Sequence, residues 1–357
     1  MKDSFIYVRG LKKADHTVFC VQDGQKTYYD AQFNKNLPFS SGQQVKRSIL
    51  ETLTAILNVE FAPTTFIYTI VQDPNSDKKD LKPKQPWSPC DPSYVDQLVG
   101  GWMKAGEGVT VKRRSPLSIS AMHPLHPLLV GTDSENLTFD RSDKPNIHPV
   151  RVMMDDKQLT DEEIQTFLDL NERTLTRRLW IPDQKGSNRR ASGLFIYDIA
   201  IDLRTLFCVS TNQHEPEMTK EVIQKLKDAG WKEAKNVFGD CLICPKEQRD
   251  KIIPALAHAL INWRITSNQA RTFSLMETLA VSISNNANKI AASIRAKLVE
   301  EESNKAKPII EHLDGVDTYI TLPCAGYVVV KDESYDALDD AEQKLIELMT
   351  AFDYEKQ

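Results

Sequence analysis

Residues Leu194–Leu203 read LFIYDIAIDL. The stretch is dominated by β-branched, aromatic and other apolar residues and holds neither glycine nor proline, which marks a buried strand. Asp198 and Asp202 break its apolar run. No other segment of the chain states its secondary structure as clearly, so the remaining elements are placed around it.

Upstream, Ser4–Val8 (SFIYV) and Thr17–Gln22 (TVFCVQ) carry strand signals, with Gly24 as a turn residue beyond the second. The run NLPFSSGQQVKRSILETLTAILNV opens a helix that Ser40 or Ser41 can cap. Its apolar stripe is Val45, Ile49, Leu53, Ile56 and Leu57, and Lys46 and Arg47 fall outside it. Thr65–Val71 reads as a further strand. Residues 73–108 hold five prolines in their first twenty and read as a long irregular excursion. Strand signals resume at Val109–Lys112, and a second irregular stretch follows.

Thr160 and Glu163 match a capping box, opening a helix that the apolar spacing carries to about residue 179. Residues 181–193 are a basic, turn-rich loop. Downstream of LFIYDIAIDL, helices are expected at Thr219–Ala229, stopped by Gly230, and from Pro245 to about Trp263. Phe273–Ile283 fits strand or helix, Ala291–Val299 reads as helix, and 318–331 holds two strand-like runs around Gly326. Ala337–Phe352 is a final amphipathic helix. Strand, helix, strand, insertion, strand, helix and further strands make an α+β fold. The economical form is a ferredoxin-like (RRM-like) palm with large inserted loops and a C-terminal helical extension. Its parts are 1–72, the first part of the palm; 73–193, basic insertions; 194–299, the second part of the palm; and 300–357, an acidic C-terminal region.

The chain has 357 residues, 41% apolar and 27% charged, which is ordinary globular usage. No stretch approaches the ~18 uncharged apolar residues of a membrane span, and MKDSFIYVRG lacks the apolar run of a secretory signal. The six cysteines lie mostly in apolar contexts, so buried thiols in a reducing cytoplasm are expected. Cys241 and Cys244 lack the second ligand pair that zinc needs. There is no G-x-x-x-x-G-K-S/T loop, no G-x-G-x-x-G turn, no H-E-x-x-H helix and no G-x-S-x-G elbow. No catalytic residue, metal site or cofactor is therefore assigned.

The net charge of −5 argues against nucleic acid until it is split. Residues 300–357 hold 15 acidic and 5 basic residues, leaving 40 basic against 35 acidic in the rest. The excess gathers in four places: Lys46 and Arg47 at a helix start, where backbone N–H groups favour phosphate; Lys112, Arg113 and Arg114; Arg173, Arg177, Arg178, Lys185, Arg189 and Arg190; and Arg264, Arg271, Lys289, Arg295 and Lys297. Basic loops contact phosphate without sequence preference and suit a single strand. Each cluster alone also fits a solvated face, and Arg47 has Glu51 one turn on as an alternative partner.

Several segments together resemble a family. IYVRG, PFSSGQQVKRSIL, VKRRSPLSISAMHP, GLFIYDIAIDL and NWRITSNQARTFSL follow the order and spacing of the backbone subunits of type I CRISPR Cascade complexes, the DevR-like branch of the RAMP superfamily, over most of residues 1–285. The resemblance implies an RRM-like palm with a thumb, polymerising along a guide RNA that pairs with target DNA or RNA, beside other Cascade subunits and away from any membrane. It implies no nuclease activity in type I systems. Guide contacts would fall to Ser41, Gln43, Gln44, Lys46 and Arg47, with Lys112, Arg113 and Arg114 lining the palm and Asn268, Gln269 and Arg271 in a second contact stretch. The thumb is 73–108 or 155–193; the basic loop of the second, with Arg177, Arg178, Lys185, Arg189 and Arg190, is better suited to cover phosphate. Type III relatives cleave RNA with an aspartate in an inserted loop, for which Asp133 and Asp140 are the candidates here. A guide-directed endoribonuclease and a metabolic enzyme without a recognisable motif are the alternatives.

Overall fold

A computed structural model of the chain describes residues 4–19, 25–72, 79–106, 109–134, 137–141, 147–181, 189–266, 273–300 and 302–357. The central sheet contains β1 (Phe5–Thr17), β2 (Leu117–Ile119), β3 (His123–Pro124), β4 (Val130–Ser134), β5 (Arg189–Asp202), β6 (Thr278–Ser284) and β7 (Asp317–Ile320). The helices used below are α1 (Gly42–Leu57), α2 (Val95–Gly100), α3 (Asp161–Leu170), α4 (Lys220–Asp228), α5 (Lys246–Asn262), α6 (Ala287–Ser293) and α7 (Ala337–Ala351). The strand order is β4-β5-β1-β6-β7, and β2 and β3 also pair with β5. Every pairing is antiparallel. The short strands β2, β3 and β4 thus follow one another along β5 as a single interrupted edge.

All of the LFIYDIAIDL stretch but its last residue forms the C-terminal part of β5 and pairs residue for residue with β1, while Leu203 opens a short helical turn. Period-two alternation sends Phe195, Tyr197, Ile199 and Ile201 into the main core with Ile6 and Val8 of β1. Helices α1 and α5 pack there, contributing Val45, Ile49 and Leu53, and Leu256 and Leu260. The opposite face is divided. Leu194 and Ile196 join a smaller cluster with Leu11, Leu279, Ile294 and Ile320. Further along, Asp198 and Asp202 lie only half-buried. The two aspartates therefore mark where β5 leaves the second apolar cluster.

Local sequence signals hold where they are strongest. Ser41 caps α1, accepting from Gln44 N–H at 3.3 Å, and Asn58 closes it in the left-handed conformation at φ 51°. The capping box of α3 is complete, with Thr160 and Glu163 each satisfying the other's backbone N–H. Thr219 caps α4, and Gly230 follows it at φ 87°.

Other expectations are corrected. β1 is one long strand to Thr17, so Thr17–Gln22 does not begin another, and Cys20–Gly24 lie outside the described residues. The strand expected at Thr65–Val71 is Tyr68–Gln72, which pairs with Lys79–Pro83 in a separate ribbon. The 73–108 excursion contains that second strand, α2 and a strand at Trp102–Gly106. Helix α3 stops at Leu170, nine residues early, with Glu172 at φ 51° just beyond. Ala291–Val299 is the end of α6 followed by a strand, Ile294–Val299, because Ile294 is buried in the smaller cluster and tertiary packing overrides the alanine-rich helix propensity. Of the two runs in 318–331, only the first forms a strand; Leu322–Gly326, with its proline, is a 3₁₀ turn.

The acidic C-terminal region is part of the fold. β7 extends the sheet beside β6, and α7 packs on α5 through Ala337, Ala341, Leu345 and Met349, a four-residue spacing. Its carboxylates Asp339, Asp340 and Glu347 accompany the other side of the helix.

Gly10 sits opposite Tyr197 in the β1–β5 register, and a Cβ there would fall inside the Tyr197 ring. That ring packs edge-on against Trp263, and its hydroxyl donates to the Leu260 carbonyl at 3.0 Å. Gly10→Ala should therefore cost about 1–3 kcal/mol by overpacking, read as a lowered urea midpoint with an unchanged slope.

Candidate nucleic-acid interface

Two of the basic segments meet although 65 residues separate their starts. Helix α1 begins against the β2–β3 backbone: a Cβ on Gly42 would lie 2.8 Å from the Ile119 carbonyl oxygen, and Ser40 bridges to Met122 in both directions at 2.9 and 3.0 Å. One turn further, Lys46 donates from Nζ to the Gly100 carbonyl at the end of α2. Immediately after α2, Trp102–Gly106 pairs with Val109–Arg113. Burial, reinforced by the nearby Arg113 charge, brings the Lys46 ammonium down to about 8. No acidic residue occupies the first turn of α1, so its positive end is uncompensated from within the helix.

The individual side chains differ in availability. Gln43 and Arg47 are exposed, and Ser41, Gln44 and Lys46 are half-buried. Arg47 pairs with Glu51 at 2.6 Å and lies over the Phe61 ring at 4.4 Å. Lys112 and Arg114 are exposed, but Arg113 is buried between them. Its guanidinium donates to the carbonyls of Leu98, of Thr205 at 2.8 Å and of Cys208 at 3.3 Å, with Glu217 at 3.9 Å. Desolvation draws it down to about 10. Strand alternation explains the outcome, because Val111 and Arg113 face inward and Lys112 outward.

The third cluster divides. Arg177 and Arg178 belong to an arm between β4 and β5, held at its base by Leu137–Asp140 pairing with Arg178–Ile181. Arg177 donates to the His148 carbonyl at 2.7 Å, and Arg178 pairs with Asp140 at 2.7 Å. Arg189 and Arg190 start β5 itself, opposite Ser134 and Asp133, and Arg190 is buried. Lys185, Asn268, Gln269 and Arg271 lie outside the described residues.

Sequence reading missed a groove of about 430 Å³ on the sheet face opposite α1 and α5, lined by Tyr7, Arg9, Ser118, Ser120 and Asp198. Arg9 grips Asp198 with two bonds, 2.7 and 2.9 Å, and its remaining nitrogen reaches the Ala291 and Ile294 carbonyls at the end of α6. Phe5 and Tyr7 stack at 5.9 Å, and Arg204 lies over Phe5 at 4.8 Å. The signal was the alternation in FIYVR, which puts Phe5, Tyr7 and Arg9 on one face.

Among the described residues no group of three or more His, Cys, Asp or Glu side chains is placed to hold a metal ion. His126 caps a 3₁₀ turn through Leu128 N–H, and Cys241 and Cys244 are buried. No helix among the described residues is long and apolar enough to cross a membrane. Arg113→Met should remove the donors from three interior carbonyls and cost about 3 kcal/mol. Lys112→Ala next to it should stay within about 0.5 kcal/mol, with thermal unfolding as the measurement for both.

No protein-family model and no curated protein matches the chain. Two solved structures are similar to it. One is titled "CRISPR RNA-guided surveillance complex, pre-nicking", aligned over 96% of this chain and 89% of that chain at 10% identity and a TM-score of 0.44. The other, "CRISPR RNA-guided surveillance complex", aligns over 96% and 84% at 10% identity and a TM-score of 0.37.

Proposed function

We propose that this chain is a non-catalytic subunit that coats a CRISPR RNA and polymerises along it beside other Cascade subunits, presenting the guide for pairing with target nucleic acid. The observation that carries the reading is the approach of SGQQVKR to VKRR beside α2, where Lys46 of the uncompensated first turns of α1 reaches Gly100 and feels the charge of Arg113, whose sequence neighbours Lys112 and Arg114 are exposed. Those are two of the segments on which the sequence resemblance rests. The strand order supports a ferredoxin-like palm: β1, α1, the β2–β4 edge, β5, α5 and β6 give the antiparallel order fourth, first, third, second.

The arm supports the role of a thumb. Helix α3 has no buried residue, with Phe167 51% and Leu170 79% exposed, so the arm has little core of its own and suits contact with something outside the chain. It takes in most of the 155–193 segment. The Phe5–Tyr7 pair supplies a face on which bases can stack. The pairing of Asp140 with Arg178 supports a non-catalytic role, since a carboxylate held by a guanidinium is a poor general base.

Single-stranded RNA affinity should fall with salt by roughly 0.7 log units per log unit of salt for each phosphate contacted. Lys46→Glu with Arg47→Glu should weaken binding of unrelated sequences alike, and unchanged affinity in a filter-binding assay would remove α1 from the interface. The pH dependence has a definite sign. The free Lys46 ammonium loses its proton as pH rises through about 8, whereas a bound phosphate retains it. Affinity should therefore decline above about pH 8, and Lys46→Met should flatten that decline.

A further inference from the structure

A cavity that the proposed function does not use lies away from α1. It has a volume of about 470 Å³ and is lined by α5, the segment around Arg264, the start of β6, the 321–335 loop and α7. Its floor is Lys12, on the helix-facing side of β1 and only 1% exposed. Nζ donates to the Thr278 hydroxyl at 2.8 Å and faces the Ile261 and Met276 carbonyls at 3.4 Å, above the Trp263 ring. Among the described residues no carboxylate pairs with it. A buried cation without a counter-charge is costly, and its presence in the wall of a cavity marks a functional site.

The other charges of the cavity are arranged around that floor. Arg264 adds a second cation whose field acts on Lys12. Three carboxylates also line the cavity: Asp339, half-buried Glu277 next to Thr278 in sequence, and Glu342, which is engaged by His258 at 3.0 Å and accepts from Asn262. At the mouth, Tyr335 is 83% exposed beside Leu322 and Asp339. An anionic group can thus lie between buried Lys12 and exposed Arg264, while a flat ring with hydrogen-bond donors meets Tyr335 and the Asp339 carboxylate at the mouth.

We propose that this cavity binds a nucleoside phosphate, with Lys12 and Arg264 holding the phosphate and Tyr335 stacking on the base. Desolvation, with Arg264, lowers free Lys12 to about 7, so a phosphate beside it restores the missing partner. The volume lies in the range of small-ligand pockets. The phosphate belongs either to a free mononucleotide or to an RNA strand. The site is separate from the α1 surface and does not depend on the chain coating a guide.

The test is calorimetric titration of the full chain with the four 5′-mononucleotides, the four nucleosides and inorganic phosphate. At least one mononucleotide should bind, about tenfold or more tighter than its nucleoside, with inorganic phosphate competing. Lys12→Met and Arg264→Gln should each remove that preference for the phosphorylated form. Tyr335→Ala should weaken nucleotide and nucleoside alike. Arg264 is exposed, so its variant keeps the test decisive even where Lys12→Met fails to fold. No binding by any mononucleotide at millimolar concentration, or a phosphate preference that survives Arg264→Gln, overturns the proposal. An oligoribonucleotide that displaces the mononucleotide identifies RNA as the source of the phosphate, and one that binds alongside it identifies the free nucleotide; both support the site. The Lys46→Glu, Arg47→Glu double variant separates the two readings, since it should lose RNA bound at α1 and keep the mononucleotide.

Discussion

β1 is bonded along both edges. On one side it pairs with β5 from Phe5↔Asp202 to Ala14↔Gly193, and on the other with β6 from Tyr7↔Ser284 to Lys12↔Thr278. A shift of one residue would carry Ile6 and Val8 out of the main core and Tyr7 and Arg9 into it. The Gly10–Tyr197 contact opposes such a shift, because only a residue without a side chain leaves room for the ring that crosses β1. The groove and the cavity both depend on this register. It sets Arg9 across from Asp198, turns Lys12 toward the cavity under α7, and leaves Phe5 and Tyr7 together on the other face.

The charge asymmetry acquires a spatial meaning from the same sheet. The acidic C-terminal region is built onto the β6 side through β7 and α7, whereas Lys46, Lys112 and Arg114 gather near α1 and α2. A phosphate approaching α1 therefore meets local positive charge in a chain whose total is −5. The carboxylates of α7 are also partly committed: Glu342 to His258 and Asn262, while Lys344 of the same helix reaches Asp317 of β7.

How much of this was legible in the sequence depended on the range of the forces involved. Ser41, Thr160 and Thr219 announced their helices because capping is decided within four residues. β5 was legible from Leu194 onward, where most of it is buried, but its first residues, 189–193, read as part of a basic loop and are strand because they pair with β4. The paired strands of the peripheral ribbons were not legible, since Tyr68–Gln72 and Lys79–Pro83 are defined by each other rather than by a core. Ile294 was misread because its partners Leu11 and Ile320 are remote in sequence. At the candidate interface, Lys46 and Lys112 were visible as charges, but nothing local distinguished Arg113 from its neighbours. Its role is fixed by the carbonyls of Thr205 and Cys208, some ninety residues away. The Arg9–Asp198 pair needed the β1–β5 register before it could be seen at all.

Three desolvated cations show how burial sorts positive charge by role. Each is less basic than an exposed counterpart, so each has lost hydration that its surroundings replace only in part. For Arg113 the replacement is fullest, with several interior carbonyls in the plane-and-fork arrangement a guanidinium requires, and its charge is used up in holding α2 against the 205–208 turn. Lys46 has one carbonyl and keeps part of its surface in solvent, which leaves donors for an incoming anion. Lys12 lies between these cases: a hydroxyl and two distant carbonyls hold it, but one side borders a cavity. The number of fixed acceptors around each nitrogen, more than its exposure, therefore decides whether a buried cation of this fold is structural or remains able to bind phosphate.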